Sequence, residues 1–459
     1  MKKTVKFFVA ALLIVAMCFS FVACKPQETN DVASIIAQAE KMDKNELYAK
    51  AMEEWSGKTI NAVGNSSRGK AAFESFIGYL QGKSFDKTAD GGKGAYVADE
   101  AVRKEFPQFN ETFDGKFSWG QPKNNNIFGQ ISSDIKASTH TLSLTLIQDG
   151  NQIQSKMLDT NMLLNYIPKE WKGDVPSNGK PLALQSLNKV FMFNNLGTAK
   201  FENCWDFVKT GVAPMFMGVD SEPVGKNFLY MLTNEHYSTI MKEAYDKLSS
   251  EDKAALEADL TAGQQAAKEA GITHANAKYS FAWISRWVKQ INIKTDDGPI
   301  CKDLVKTSAA GQSGLLVYSK LRGISESTDS SRKNVTIAAY QDNYVGIGGY
   351  MYKHYMQILK TSPMPWTACA IINYMTTTAN GFAPWGKDIG GYSANDVCNQ
   401  DHSKDGYVDG KIEYPALNDK GYAWWTNQTE AGGQMVIEDP AYCSQVAFEV
   451  GSWIDGLTK

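Results

Sequence analysis

The chain has 459 residues, 43% of them hydrophobic and 11% aromatic, enough apolar material for two or three domains or one large two-lobed body. Its 47 Lys and Arg against 50 Asp and Glu leave a formal charge of −3, and no basic block of the kind that tracks phosphates stands out, which argues against nucleic acid as a partner. Five scattered histidines (140, 236, 274, 354 and 402) show no H-E-x-x-H or other zinc spacing, so a zinc hydrolase is disfavoured.

The first residues carry Lys2, Lys3 and Lys6, then an apolar run from Phe7 to Val22, then Ala23 and Cys24. The run is shorter than the ~20 residues that span a bilayer, and a polar segment follows at once, so residues 1–23 read as a secretory signal and not as a permanent anchor. Phe21-Val22-Ala23-Cys24 resembles the bacterial lipobox, with Phe21 where Leu is usual. That resemblance implies cleavage before Cys24 and a lipidated Cys24 that holds the protein, by its acyl chains, on a bacterial membrane outside the cytoplasm, at the periplasmic side or the cell surface.

Residues 24–43 read as a tether running into a helix, since Val32, Ile35, Ile36 and Ala39 recur at helical spacing. A second helix opens at Asp43-Lys44 and stops at Gly57. The run 58–63 then alternates as a strand, and the turn AVGNSSRGKA leads into the helical spacing of 71–76. Gly64, Gly69 and Lys70 match a phosphate-cradling P-loop, but Ala71 stands where the magnesium-ligating hydroxyl belongs, and the expected compartment lacks ATP. The glycine-lysine spacing is therefore read as coincidence.

Further along, 141–147 is a strand ending in Gln148-Asp149-Gly150, followed by a helical run to Leu158. The long apolar run 181–194 reads as chain crossing between two bodies, and 335–340 as the return crossing. Between them lie an apolar helix after Ser221-Glu222-Pro223, a capped and mostly solvated helix over 249–271, and a strand at 314–318. Cysteines beyond the signal stand at 204, 301, 369, 398 and 443, an odd number that allows at most two bridges and leaves one thiol. Asp401, Ser403, Asp405 and Asp409, with Gly406, follow the spacing of a calcium loop, although Glu413 falls one place beyond the bidentate position; a polar turn is the other reading.

Strands alternating with helices imply an α/β protein. The order FVAC, GNSSR, LTLIQDG, PLALQSLNKVFMFN, DSEPVGKNFLYML, GLLVYSKLR and PWGKDIGGYS resembles bacterial extracellular solute-binding proteins of ABC importers, over most of residues 44–440 and most thinly at 85–140, which reads as an insertion. The resemblance implies a two-lobed type II periplasmic-binding-protein fold, in the branch near ferric-iron and small organic-anion binders. Its sheets would be mixed and mostly parallel, with helices on both faces and two hinge crossings. Residues 44–186 and 342–459 would form one lobe and 187–341 the other.

In such a fold the helix starts after parallel strands face the cleft and suit an anion. The resemblance thus implies solute contacts from Asn65, Ser66, Ser67 and Arg68, from Gln148, Asp149 and Gly150, and from Ser221 and Glu222, with Gln312 and Ser313 as weaker candidates. For Ser67, Arg68 and Asp149 the competing reading is a cap or a surface charge. Tyr340 and Tyr344 lie where iron-binding relatives use adjacent tyrosines; here they are spaced, and packing is the competing role. The functional expectation is a lipid-anchored, monomeric, non-enzymatic protein. It would need no cofactor and would pass a small, anionic solute to an ABC permease in the cytoplasmic membrane. The alternatives are a secreted lipid-anchored hydrolase, for which no G-x-S-x-G or carboxylate pair is apparent, and a sensing module for a membrane receptor.

Overall fold

The computed structural model describes residues 31–122, 124–219, 223–323, 333–386, 390–398 and 419–458. Cys24, the pair Ser221 and Glu222, and the calcium-loop candidates Asp401, Ser403, Asp405 and Asp409 lie outside the described residues.

Strands β1 (Thr59–Gly64), β2 (Lys116–Gly120), β3 (Leu142–Ile147), β4 (Ala183–Asn194), β5 (Met215–Met217), β6 (Asn292–Lys294), β7 (Ser313–Val317) and β8 (Gly349–Leu359) run through one sheet in the order β2-β1-β3-β8-β4-β7-β5-β6. Away from β4 and β8 the pairings along this path are parallel: β1 with β2 and β3, and β5 with β6 and β7. The two long strands run antiparallel to each other, with Gly349 opposite Val190 and Tyr355 opposite Ala183. Every residue of both is buried, as expected of strands covered on both faces.

The apolar residues divide into two cores that these strands join. One holds Tyr48, Trp55, Phe76, Leu144, Tyr355 and Ile372; the other holds Phe191, Phe228, Trp283, Trp287, Leu316 and Met351. Helices form where the sequence caps them. Asp43 accepts a hydrogen bond from Glu46 N at 3.0 Å to start Lys44–Trp55, and Ser249 accepts one from Asp252 N at 3.1 Å to start Ser250–Glu269. The latter buries little beyond Leu256, Gly263 and Ala267, in keeping with its solvated face.

Three expectations are corrected. The return crossing is β8, whereas Val335–Ile337 is a short strand along the edge of β4. The pattern of β8 is interrupted by Lys353, His354 and Gln357, whose hydrogen bonds to Ser177, Gln148, Gln185 and Asn165 make their burial tolerable. The segment 85–140, read as an insertion, is built into the fold: it supplies the edge strand β2, the helix Asn124–Lys136 and the strand Ala95–Ala98, which pairs with Lys83–Asp86. The last forty residues, placed by sequence with the first lobe, put Trp425, Val436, Cys443 and Ile454 into the second core. They do so because helix Pro440–Leu457 packs on Pro223–Leu232 and Ala277–Gln290.

All five described cysteines are buried free thiols, and burial pushes the Cys204 thiol up to about 12. A folded chain beginning at residue 31 should therefore react slowly with a thiol reagent and yield five thiols once denatured. A count of three would indicate a disulfide that this arrangement excludes.

Candidate functional site

The two crossing strands make the floor of a cleft of about 750 Å³. Side chains two apart on a strand share a face, so Gln185, Leu187 and Lys189 of β4 and Tyr352 and His354 of β8 all point to the same side. Lys189 Nζ lies 2.8 Å and 3.0 Å from the oxygens of Asp297, which also accepts from Val317 N at 3.2 Å. The pair is almost fully buried, and removing one partner would cost about 3–5 kcal/mol because the other charge would be stranded. His354 is held between Gln148 Nε2, 2.6 Å from its Nε2, and Gln185 Nε2, 2.9 Å from its Nδ1. Burial, with the nearby Arg68 charge adding to it, lowers its pKa to about 3, so the ring is neutral at ordinary pH.

One wall is the turn between β1 and the helix Arg68–Leu80, where Asn65, Ser66, Ser67 and Arg68 line the cleft. Asn65 Oδ1 accepts from Gln148 N at 2.9 Å, tying this turn to the end of β3. Ser66 Oγ accepts from Arg68 N at 3.3 Å, and Ser67, exposed, makes no side-chain cap bond. The glycines that suggested a P-loop have another purpose. Trp119 of β2 lies across the turn, donating from Nε1 to Ser66 O at 3.0 Å, and a Cβ on Gly64 or Gly69 would come within 2.5 Å or 2.3 Å of its ring. The facing wall brings Asp296, Asp297 and Lys320, with Asp296 and Lys320 3.6 Å apart. Among the described lining residues the charged side chains are Arg68, Lys189, Lys320, Asp296 and Asp297, three cations against two carboxylates.

The structure thus brings Asn65, Ser66, Ser67, Arg68 and Gln148 together at the cleft, and among the other described candidates it places Asp149, Gly150, Tyr340, Tyr344 and Ser313 elsewhere. Asp149 is buried and caps the short helix Gly150–Gln152, accepting from Gln152 N at 3.1 Å and from Asn227 Nδ2 at 3.2 Å. Gly150 packs against Pro440, Glu438 and Tyr355. Tyr340 stacks on Trp425 at 5.5 Å, and Tyr344 donates to Ile347 O at 2.6 Å, so both phenols belong to the second core. Ser313 is buried in β7 opposite Phe193, and Gln312 does not line the cleft. Sequence reasoning missed Gln185, Lys189, Tyr352, His354 and Asp297. The available signal was polar residues at even spacing within otherwise apolar strands, as Gln185 and Lys189, four apart and so on one face, stand in 181–194.

A two-lobed body, two buried crossing strands and a polar cleft above them define the architecture of a type II periplasmic binding protein, and solved structures bear this out at the level of fold. The ferric binding protein of Campylobacter jejuni superposes with a TM-score of 0.53 at 11% identity, covering 87% of this chain and 99% of that one. The FutA (IdiA) protein of Trichodesmium, solved with iron and citrate ligands, gives 0.51 at 10% identity with the same coverage. No protein-family model matches the sequence, and no curated protein sequence matches it. Among the described residues no group of three or more His, Cys, Asp or Glu side chains is arranged to hold a metal ion, and no helix is long and apolar enough to cross a membrane.

Behind the cleft floor, Asn227 Nδ2 bridges Asp149 Oδ1 and Glu438 Oε1, at 3.2 Å and 3.0 Å, while Tyr355 Oη donates to Glu438 Oε2 at 2.8 Å. Burial pushes Glu438 up to about 7 from its ordinary 4.5, the Tyr355 bond opposing and Asp149 reinforcing the shift; burial raises Asp149 as well. A carboxyl raised in the folded state favours folding below its unfolded pKa, and that advantage is lost as pH rises through the folded value. Stability should fall between about pH 4.5 and 7, by roughly 3 kcal/mol for a shift of this size, and level off above. Melting temperatures across that range should show the fall in the wild type and a flatter profile in Glu438→Gln; equal slopes would contradict the assignment.

Proposed function

We propose that the protein is a non-enzymatic, extracytoplasmic binding protein that captures a small, anionic solute between its lobes. The observation that carries this reading is a cleft whose described lining holds three cationic side chains against two carboxylates, floored by the strands that join the two cores and walled on one side by Arg68 at a helix start. A helix N-terminus with its free N–H groups and a guanidinium offers an anion both a favourable dipole and forked donors. Bending of β4 and β8 would bring the Arg68 wall towards Lys320 and Asp296. The solute then favours the closed form to the extent that it contacts both walls.

Delivery to an ABC permease and anchoring through Cys24 belong to the same proposal; they rest on the fold, on the signal segment and on the lipobox-like Cys24. Ferric iron, the ligand of the Campylobacter jejuni protein, fits this chain less well. The phenols of Tyr340 and Tyr344 are engaged in the core, and Tyr352 is the tyrosine that lines the cleft among the described residues.

A thermal-shift screen of the folded chain against carboxylates, phosphonates, polyamines, sugars and ferric iron tests the proposal. An anion at a hundred times its Kd should stabilise by about 2.7 kcal/mol. Arg68→Ala should fold normally and lose most of that shift. Stabilisation by ferric iron or polyamines alone would overturn the anion reading.

A further inference from the structure

We infer that His354 is a positioning residue that fixes which end of the Gln148 amide faces the cleft, and so makes the floor select for an oxyanion over its neutral amide analogue. The inference rests on the solute-binding reading and specifies the chemistry of that same cleft.

Three neighbouring strands set the row. Tyr355 of β8 is opposite Ile147 of β3, and His354 is opposite Gln185 of β4, so Gln148, His354 and Gln185 lie side by side across the floor. A neutral imidazole has one N–H and one lone pair, and so accepts from only one of its two amide neighbours. The other amide must present its carbonyl to the ring N–H.

Burial decides which. Gln185 is fully buried; its Nε2 meets His354 Nδ1, and its Oε1 has no partner. Turning this amide would take both of its buried N–H bonds off the ring, and orphaned donors are rarer in proteins than under-satisfied carbonyls. Gln185 therefore donates to Nδ1, and the ring proton sits on Nε2. Gln148 is half-exposed in the cleft and held through its backbone by Asn65; the amide end 2.6 Å from the ring must then be its carbonyl oxygen, which takes the place assigned above to Nε2, since two N–H donors cannot meet there. Its amide N–H groups are left facing the solute, on the same wall as Arg68, Ser66 and Ser67.

The floor thus offers donors beside a guanidinium, an arrangement that welcomes both oxygens of a carboxylate and leaves an amide NH₂ without an acceptor. Among the described residues the groups facing the ring are Arg68, Gln148, Gln185 and the Tyr352 ring, none of which is an anion that would hold a proton on it. Burial keeps the ring neutral, and the polarity of Gln148 fixed, at ordinary pH.

Two measurements test this. In the ligand-free protein, ¹⁵N NMR of the His354 ring should show a neutral imidazole protonated on Nε2; protonation on Nδ1 overturns the inference whatever the cleft binds. By calorimetry, the wild type should bind succinate or benzoate more tightly than succinamide or benzamide. His354→Phe, which frees Gln148 to turn, should lose about tenfold of that discrimination. His354→Gln, whose amide can still donate towards Gln148, should retain most of it. Equal discrimination in all three proteins overturns the role of His354 alone. Failure of the wild type to bind any of the four compounds overturns the solute class and the anion reading with it.

Discussion

The antiparallel pairing of β4 with β8 is the constraint on which the rest of the structure depends. Each strand begins against one core and ends against the other, so the ladder from Gly349 and Val190 to Tyr355 and Ala183 is the part of the main sheet that belongs to both bodies. Because both strands are buried throughout, their backbone groups have no water to fall back on, and a slip of one residue would turn the cleft-facing row to the opposite side. The cleft therefore exists only in this register. Elsewhere the parallel strands can be read as two ordinary half-sheets, each covered by its own helices.

The same strands carry an unusual load of buried polar residues, and the partners come from distant parts of the chain. Lys189 is matched by Asp297, Lys353 donates to Ser177 O at 2.6 Å, Gln357 donates to Asn165, and His354 sits between two amides. A buried charge or amide without such a partner would cost several kcal/mol, so these contacts are a condition for placing a polar floor at the centre of an apolar sheet. The result is a surface at the bottom of the cleft whose donors and acceptors are held in place by packing.

Much of the architecture was legible from local pattern. β1, β3, β4 and β7 stand where apolar alternation or apolar runs predicted strands, and the caps Asp43 and Ser249 stand where helices begin. β8 was not legible, because Lys353, His354 and Gln357 break its hydropathy and only tertiary partners make them acceptable inside a sheet. At the cleft, Asn65 to Arg68 and Gln148 were legible because a polar turn between strand and helix is a local signal. Lys189 and Asp297, 108 residues apart, were not, since nothing in either neighbourhood names the other. Asp149 illustrates the converse: its position at a strand end suggested the cleft, and its burial beside Asn227 makes it part of the packing behind it.

The second core closes in an order that the chain itself imposes. Phe191, Trp283 and Trp287 are laid down early, but Trp425, Val436, Val450 and Ile454 complete the same cluster from the far end of the sequence. A lobe built from such distant segments has high contact order, and it cannot bury its full apolar surface until nearly the whole polypeptide is present. The first core draws its buried apolar residues from 32 to 398, and the last helix reaches it too, packing on the segment 150–158 that carries Ile153 and Met157. Helix Pro440–Leu457, touching 150–158 on one side and Pro223–Leu232 and Ala277–Gln290 on the other, is thus a clasp across the two cores that the chain can fasten only after both have begun to form.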